Sequence, residues 1–114
     1  AAYYDAAFSG VDQLIIPARN VQSTHVFHQY TLKLKNVDRQ ALQKYLESKG
    51  IPAMIYYPVP LHLQKAYQDV RYQAGDFPVA EQLSACVLSL PMHTELDEEQ
   101  LEYITSNVLD FLHK

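Results

Sequence analysis

The chain has 114 residues, of which 48% are hydrophobic and 19% charged, and its formal net charge is −4. This composition fits one folded domain and excludes a disordered chain, and its acidic balance argues against a broad nucleic-acid-binding surface. A single cysteine excludes an internal disulfide framework, and no apolar run approaches the roughly 20 residues that a membrane span needs. The first residues, AAYYDAAFSG, include no initiator Met and no signal-peptide pattern. We therefore expect the chain to be a piece of something longer.

The first third of the sequence predicts a helix, a short edge element and one long strand. Residues 2–9 are typical of the last turns of a helix ending at Gly10, and residues 14–16 before Pro17 predict an edge strand or an extended connection. Residues 25–35 alternate like a strand. One face carries Val26, His28, Tyr30, Leu32 and Leu34, and the other carries Phe27, Gln29, Thr31, Lys33 and Lys35. The first face changes from aromatic and polar to aliphatic, which predicts a core strand that begins at a cleft or an interface.

The remaining sequence predicts two further strands and four further helices. Asp38 is a candidate N-cap for a helix over 39–49, residues 51–57 predict a strand, and Pro58-Val59-Pro60 predicts an extended turn. A short helix follows over 61–68, then a helix over 78–85 that buries Val79, Leu83 and Ala80. Residues 87–90 predict the third strand, and a capping box at 97–100 begins a helix over 98–112. This order favours an α/β (α+β) two-layer sandwich, a small sheet with helices on one face.

The sequence contains no familiar local signature of catalysis or of metal binding. Its three separate glycines cannot form a phosphate-binding loop, and His25 and His28, three apart on a strand, would point to opposite faces. None of the six lysines lies in apolar surroundings that would favour a Schiff base. We therefore predict no catalytic residue and no metal ligand within the chain.

Two clusters remain as candidate binding residues. His28 and Tyr30 would share a strand face about 6–7 Å apart, where both side chains reach one polar ligand. The alternative is that both are half-buried and bonded to backbone. The segment Tyr56-Tyr57-Pro58-Val59-Pro60-Leu61-His62 would be a stiff aromatic loop that presents hydroxyls to a ligand or a partner subunit. The alternative there is a structural turn packed on the first helix.

Three segments together carry a resemblance to a known family. They are HVFHQYTLKL, RQALQKYLESKGIPAMIYYPVPLHLQKAY and FPVAEQLSACVLSLPMHTELDEEQLEYI. The chain resembles, over about residues 1–112, the C-terminal part of the DegT-type sugar-nucleotide aminotransferases, which depend on pyridoxal phosphate and have the aspartate-aminotransferase fold. The resemblance implies that residues 1–23 are the end of an interdomain helix and a linker, and that 24–114 are the C-terminal small domain. The Schiff-base lysine would then lie outside this chain.

The resemblance also implies a reaction, partners and site residues. The family transfers an amino group, usually from glutamate, to a keto-sugar linked to a nucleotide, at a site shared between two subunits. We therefore expect pyridoxal 5'-phosphate in the full-length enzyme and none in this fragment, a homodimeric parent, a cytoplasmic location, and no nucleic-acid or membrane partner. By motif position, His28 and Tyr30 match the family's H-x-Y residues near the substrate, and Tyr57 and His62 match the Tyr and second His of its H-Y-P-x-P-L-H loop. Tyr56 replaces the first His, so sugar stacking or hydroxyl bonding is expected there instead of proton transfer.

Three functional hypotheses follow. The first is the substrate-side domain of a sugar aminotransferase, inactive when isolated. The second is a free-standing small α/β binding or dimerisation module, and the third is a folded fragment without ligands.

Overall fold

A three-stranded antiparallel sheet lies at the centre of the fold. The computed structural model describes residues 1–114. The elements in chain order are α1 (Ala2–Phe8), β1 (Leu14–Ile15), β2 (Tyr30–Leu34), α2 (Arg39–Ser48), two 3₁₀ turns (Leu61–Leu63 and Lys65–Tyr67), α3 (Pro78–Cys86), β3 (Val87–Leu90) and α4 (Glu98–Leu112). The strand order is β1-β2-β3, with β2 hydrogen-bonded to both neighbours. The predicted α+β class is confirmed.

Side-chain caps fix where α2 and α4 begin. Asp38 accepts a hydrogen bond from the backbone N–H of Ala41 at 3.0 Å. At α4, Asp97 accepts from the Gln100 N–H at 2.8 Å, and the Gln100 side chain accepts from the Asp97 N–H at 3.1 Å. The predicted helix over 98–112 is therefore confirmed, because the capping box satisfies backbone donors that the first turn leaves free. None of the helices combines the length and the apolar character needed to cross a bilayer.

The core lies between the sheet and three helices. Alternate residues of β2 point into it, and Tyr30, Leu32 and Leu34 are all buried. They meet apolar side chains from α1, α2, α4 and β3, of which the most enclosed are Tyr4, Phe8, Leu42, Leu46, Leu88 and Val108. Fully burying one such side chain contributes about 1.5–3 kcal/mol. The two-layer packing thus stabilises β2 mainly from one face.

The strand predicted over 25–35 was too long at its beginning. In the structure β2 starts at Tyr30, which pairs with Leu90 of β3. The residue that follows Leu90 at the end of β3 is Pro91, which has no N–H to donate to a ladder. Residues 25–29 therefore have no strand partner, and Phe27 adopts a positive φ of 48° that no strand contains.

The strand predicted over 51–57 was also wrong. Only Met54 pairs with β3, through two hydrogen bonds with Ser89 at 2.9 and 2.8 Å. Pro52 and Pro58 flank this bridge and cannot donate to a ladder, which limits pairing on both sides. Ile51 and Ala53 are nevertheless buried, so the segment covers the core without becoming a fourth strand.

Two expectations for residues 61–86 need correction. The helix predicted over 61–68 is a pair of 3₁₀ turns, and α3 buries none of its residues. Val79 is 68% exposed and Ala80 is also exposed, whereas Leu83 is half-buried. Leu83 faces a groove beside β2, so α3 borders an open surface and does not close over a core.

Candidate functional site

Tyr30 lies in the core, where its side chain is 0% exposed. Its hydroxyl donates a hydrogen bond to Asp5 Oδ1 at 2.7 Å, and its ring centroid lies 4.8 Å from that of Tyr4. Burial, followed by the bond to the Asp5 carboxylate, raises the pKa of Tyr30 because both disfavour the phenolate. The hydroxyl of Tyr30 is thus hydrogen-bonded to Asp5 within the chain. The contact with a sugar that the resemblance implies for Tyr30 stays a prediction.

His28 is exposed at a bend just before β2. The positive φ at Phe27 interrupts the alternation, and β2 begins only at Tyr30. The interpretation of His28 and Tyr30 as neighbours on one strand face was therefore wrong. The expected contact of His28 with a substrate stays a prediction, now from a loop position.

Tyr56 and Tyr57 line a groove of about 900 Å³. Tyr56 is 40% exposed and Tyr57 is 74% exposed, and their rings meet edge to face at 6.4 Å between centroids. Thr31 and Lys33, which point away from the core on β2, also line the groove, as does the ring of Tyr67. The Thr31 hydroxyl is itself hydrogen-bonded to that of Ser89 at 2.7 Å. The groove therefore combines aromatic faces with several hydroxyl groups and one ammonium group, a lining suited to a polar ring.

His62 is buried beside this groove and does not open into it. Its side chain is 8% exposed, its Nε2 lies 3.6 Å from Glu81 Oε1, and no hydrogen bond reaches that nitrogen. Its ring centroid is 4.8 Å from that of Phe77. His62 lines a second cavity of about 600 Å³, which shares Leu61 and Tyr67 with the groove. His62 thus contacts Glu81 on α3 and Phe77, which immediately precedes that helix.

The structure brings together only part of the predicted set. Tyr56 and Tyr57 share one groove, His62 lies behind its wall, and neither His28 nor Tyr30 lines it. Sequence reasoning missed Thr31 and Lys33 as groove residues. The signal was present, because strand alternation had already placed both on the face opposite Tyr30.

The residues of this chain do not by themselves match a pyridoxal-phosphate site. All six lysines are exposed, whereas a Schiff-base lysine is activated by desolvation or by a neighbouring cation. No group of three or more His, Cys, Asp or Glu side chains is placed to hold a metal ion.

Comparison with known proteins gives the family. The sequence profile of the DegT/DnrJ/EryC1/StrS aminotransferase family matches residues 1–109. The chain belongs to this family. It is 41% identical over 114 residues to the UDP-N-acetyl-3-dehydro-alpha-D-glucosamine 3-aminotransferase of Acidithiobacillus ferrooxidans, a match that covers 99% of this chain and 29% of that protein. It is 39% identical over 112 residues to a pleiotropic regulatory protein of Geobacillus stearothermophilus, covering 97% of this chain and 30% of that protein.

The fold of this family member also matches a solved structure. The crystal structure of S. venezuelae DesV in complex with a ketimine intermediate superposes with a TM-score of 0.91 at 28% identity, covering 99% of this chain and 30% of that one. The chain therefore spans less than a third of the length of the relatives it matches.

Proposed function

We propose that this chain is the substrate-side C-terminal domain of a pyridoxal-phosphate-dependent aminotransferase. The enzyme would transfer an amino group from glutamate to a keto-sugar linked to a nucleotide. Residues 1–23 would be the end of an interdomain helix and a linker, and residues 24–114 the small domain. The observation that carries the proposal is a family match over residues 1–109 by a chain that spans less than a third of its relatives.

The aromatic groove is the surface through which this domain would contact the sugar. Tyr57 would stack its exposed ring on the apolar face of a pyranose, and Tyr56 would stack beside it or donate a hydroxyl hydrogen bond. Thr31, whose hydroxyl is hydrogen-bonded to that of Ser89, would accept a further hydrogen bond from a sugar hydroxyl. Lys33 would place its ammonium group near the phosphates of the nucleotide, which it attracts as a point charge.

The two histidines would act at the edges of this surface. His28, exposed in the loop before β2, would reach the polar side of the substrate. His62 would anchor the segment that follows the tyrosine loop against α3, because its ring packs on Phe77 and its Nε2 faces Glu81. Tyr30 would hold the start of β2 in place through its bond to Asp5.

The rest of the active site would come from outside this chain. When bound there, pyridoxal phosphate would supply the electron sink for transamination, while this domain binds and orients the sugar and excludes water. We also propose that the parent enzyme is a homodimer with its site between two subunits and that it acts in the cytoplasm. The isolated chain would bind no cofactor and would be inactive.

An assay of the isolated chain tests this division of labour. The chain is mixed with pyridoxal phosphate and glutamate, and pyridoxamine phosphate is quantified by its absorption and by chromatography. No pyridoxamine phosphate above a protein-free control is expected, because non-enzymatic transfer sets the background. Turnover proportional to the amount of chain would refute the proposal.

A further inference from the structure

Asp5 on α1 holds two side chains that come from distant parts of the chain. Its Oδ1 accepts the hydroxyl hydrogen bond of Tyr30 at 2.7 Å, and its Oδ2 accepts from Arg19 Nε at 2.9 Å and also from Arg19 Nη2. Burial opposes ionisation of Asp5, but the hydrogen bonds from Tyr30 and Arg19 and the Arg19 charge outweigh it and lower the pKa of this carboxyl. A charged carboxylate therefore links α1 to both the linker and β2.

Arg19 carries this link onward to Phe27. Its guanidinium carbon lies 4.1 Å from the centroid of the Phe27 ring, a cation–π distance. Phe27 has a φ of 48°, which is unfavourable by about 1–2 kcal/mol for a bulky L-residue and needs local contacts to persist. The Phe27 N–H donates to His25 Nδ1 at 2.8 Å, and the two rings lie 4.3 Å apart. Arg19 thus lies between Asp5 and the bend that carries His28.

Arg19, His25 and Phe27 line a polar cleft of about 500 Å³. Its other lining residues include hydroxyl and amide side chains at Asn20, Ser23, Thr24, Gln29 and Thr31. Hydroxyl and amide groups at these positions suit a ligand rich in hydroxyls. Thr31 also lines the aromatic groove, so the cleft and the groove adjoin at β2.

We propose that Asp5 is a positioning residue that couples helix α1 to residues 25–29 and thereby sets the sugar-facing side of the cleft. Asp5 does not line the cleft and acts through Arg19 and Tyr30. The coupling is a property of this chain alone, and its consequence for sugar binding rests on the proposed function.

Amide exchange and NMR of the 114-residue chain test the coupling. Asp5→Asn weakens a charge-assisted bond to Arg19, so the exchange rate of the Phe27 amide should rise about tenfold. The upfield shift that the Phe27 ring imposes on the Arg19 side chain should be lost as well. Asp5→Glu, which keeps the charge, should recover part of both effects.

Two further variants separate positioning from general destabilisation. Asp69→Asn removes an exposed carboxylate that bonds Arg71 Nε at 3.0 Å and Nη2 at 2.9 Å, and it should leave the Phe27 amide unchanged. Arg19→Gln keeps the Asp5–Tyr30 bond and should raise Phe27 exchange even if Asp5→Asn does not fold. Unchanged Phe27 exchange in both the Asp5 and the Arg19 variants would overturn the proposal.

The consequence for binding is measured in an enzyme that contains this chain. Asp5→Asn should raise KM for the sugar nucleotide, leave the half-reaction with glutamate unchanged, and be partly rescued by Asp5→Glu. Equal losses in both half-reactions would contradict a role on the sugar side. If the wild-type enzyme aminates no nucleotide sugar, the proposed function fails, and the exchange data still decide the coupling.

Discussion

Tyr30→Phe tests whether the hydroxyl of Tyr30 stabilises the fold. The substitution removes the donor of a 2.7 Å bond to Asp5 and keeps the ring that packs on Tyr4. A hydrogen bond to a charged group contributes about 1.5–3 kcal/mol. Asp5 retains Arg19 after the change, so no carboxylate is left unpaired, and the lower part of that range applies. We expect the free energy of unfolding to fall by about 1.5–2 kcal/mol.

Urea unfolding followed by circular dichroism at neutral pH measures this loss. In thermal unfolding, the same loss would lower Tm by about 5–10 °C for a domain of this size. Tyr45→Phe is the matched control, because Tyr45 is half-buried against Phe111 and its hydroxyl makes no hydrogen bond in the structure. That control should stay within about 0.5 kcal/mol of the wild type. A Tyr30→Phe variant as stable as Tyr45→Phe would refute the structural role of the hydroxyl.

The contributions of Asp5, Tyr4 and Asp97 to stability can be tested by pH titration and by substitution. The pKa of Asp5 lies below its ordinary value of 3.8, so its contribution is present above that value and is lost as the pH falls below it. The stability gap between wild type and Asp5→Asn should therefore narrow in acid titrations of unfolding; a constant gap would contradict the shift. Burial raises the pKa of Tyr4 from 10.0 to about 12, so stability should fall as the pH rises from 10.0 to about 12, and less steeply in Tyr4→Phe. Asp97→Ala should lower the unfolding free energy by about 0.5–2 kcal/mol in urea titrations, whereas exposed Glu102→Gln should not; equal effects would argue against the capping box.

Local signals predicted those elements whose ends are set by local chemistry. The helix over 98–112 has a capping box at 97–100 and an apolar stripe that agree with each other, and the structure places α4 at Glu98–Leu112. The cap at Asp38 likewise located the beginning of α2. In both cases the atoms that end the helix lie within a few residues of it, so tertiary contacts had little to change.

The ends of the strands were predicted wrongly because they depend on pairing partners that are distant in the sequence. Alternation continues from 25 to 35 in the sequence, but β3 offers only Val87–Leu90 for pairing, and Pro91 follows. No local pattern around residue 27 indicates how many residues of β3 are available for pairing. At the bend, Phe27 contacts the side chains of Arg19 and His25, and alternation in the sequence reports neither contact.

Only the part of the candidate site that has a local sequence signal was predicted. The loop containing Tyr56 and Tyr57 was identified by composition, and the structure shows both side chains exposed in a groove. The role of Asp5 had no sequence signal, because its partners lie 14 and 25 residues away. The aliphatic end of the Tyr30 face correctly indicated a core, and the burial of Tyr30 extends that core to the first residue of β2.

Separating the two half-reactions in an enzyme that carries this chain tests the proposed function most sharply. Tyr57→Ala removes the most exposed aromatic ring of the groove and is compared with Tyr103→Ala, whose side chain lies on α4 and bonds the Lys49 carbonyl at 2.9 Å. Single-turnover absorbance follows glutamate and the keto-sugar nucleotide separately. The proposed function predicts that Tyr57→Ala slows the sugar half-reaction and leaves the glutamate half-reaction at the Tyr103→Ala rate. Equal slowing of both half-reactions, or no effect on either, would contradict it.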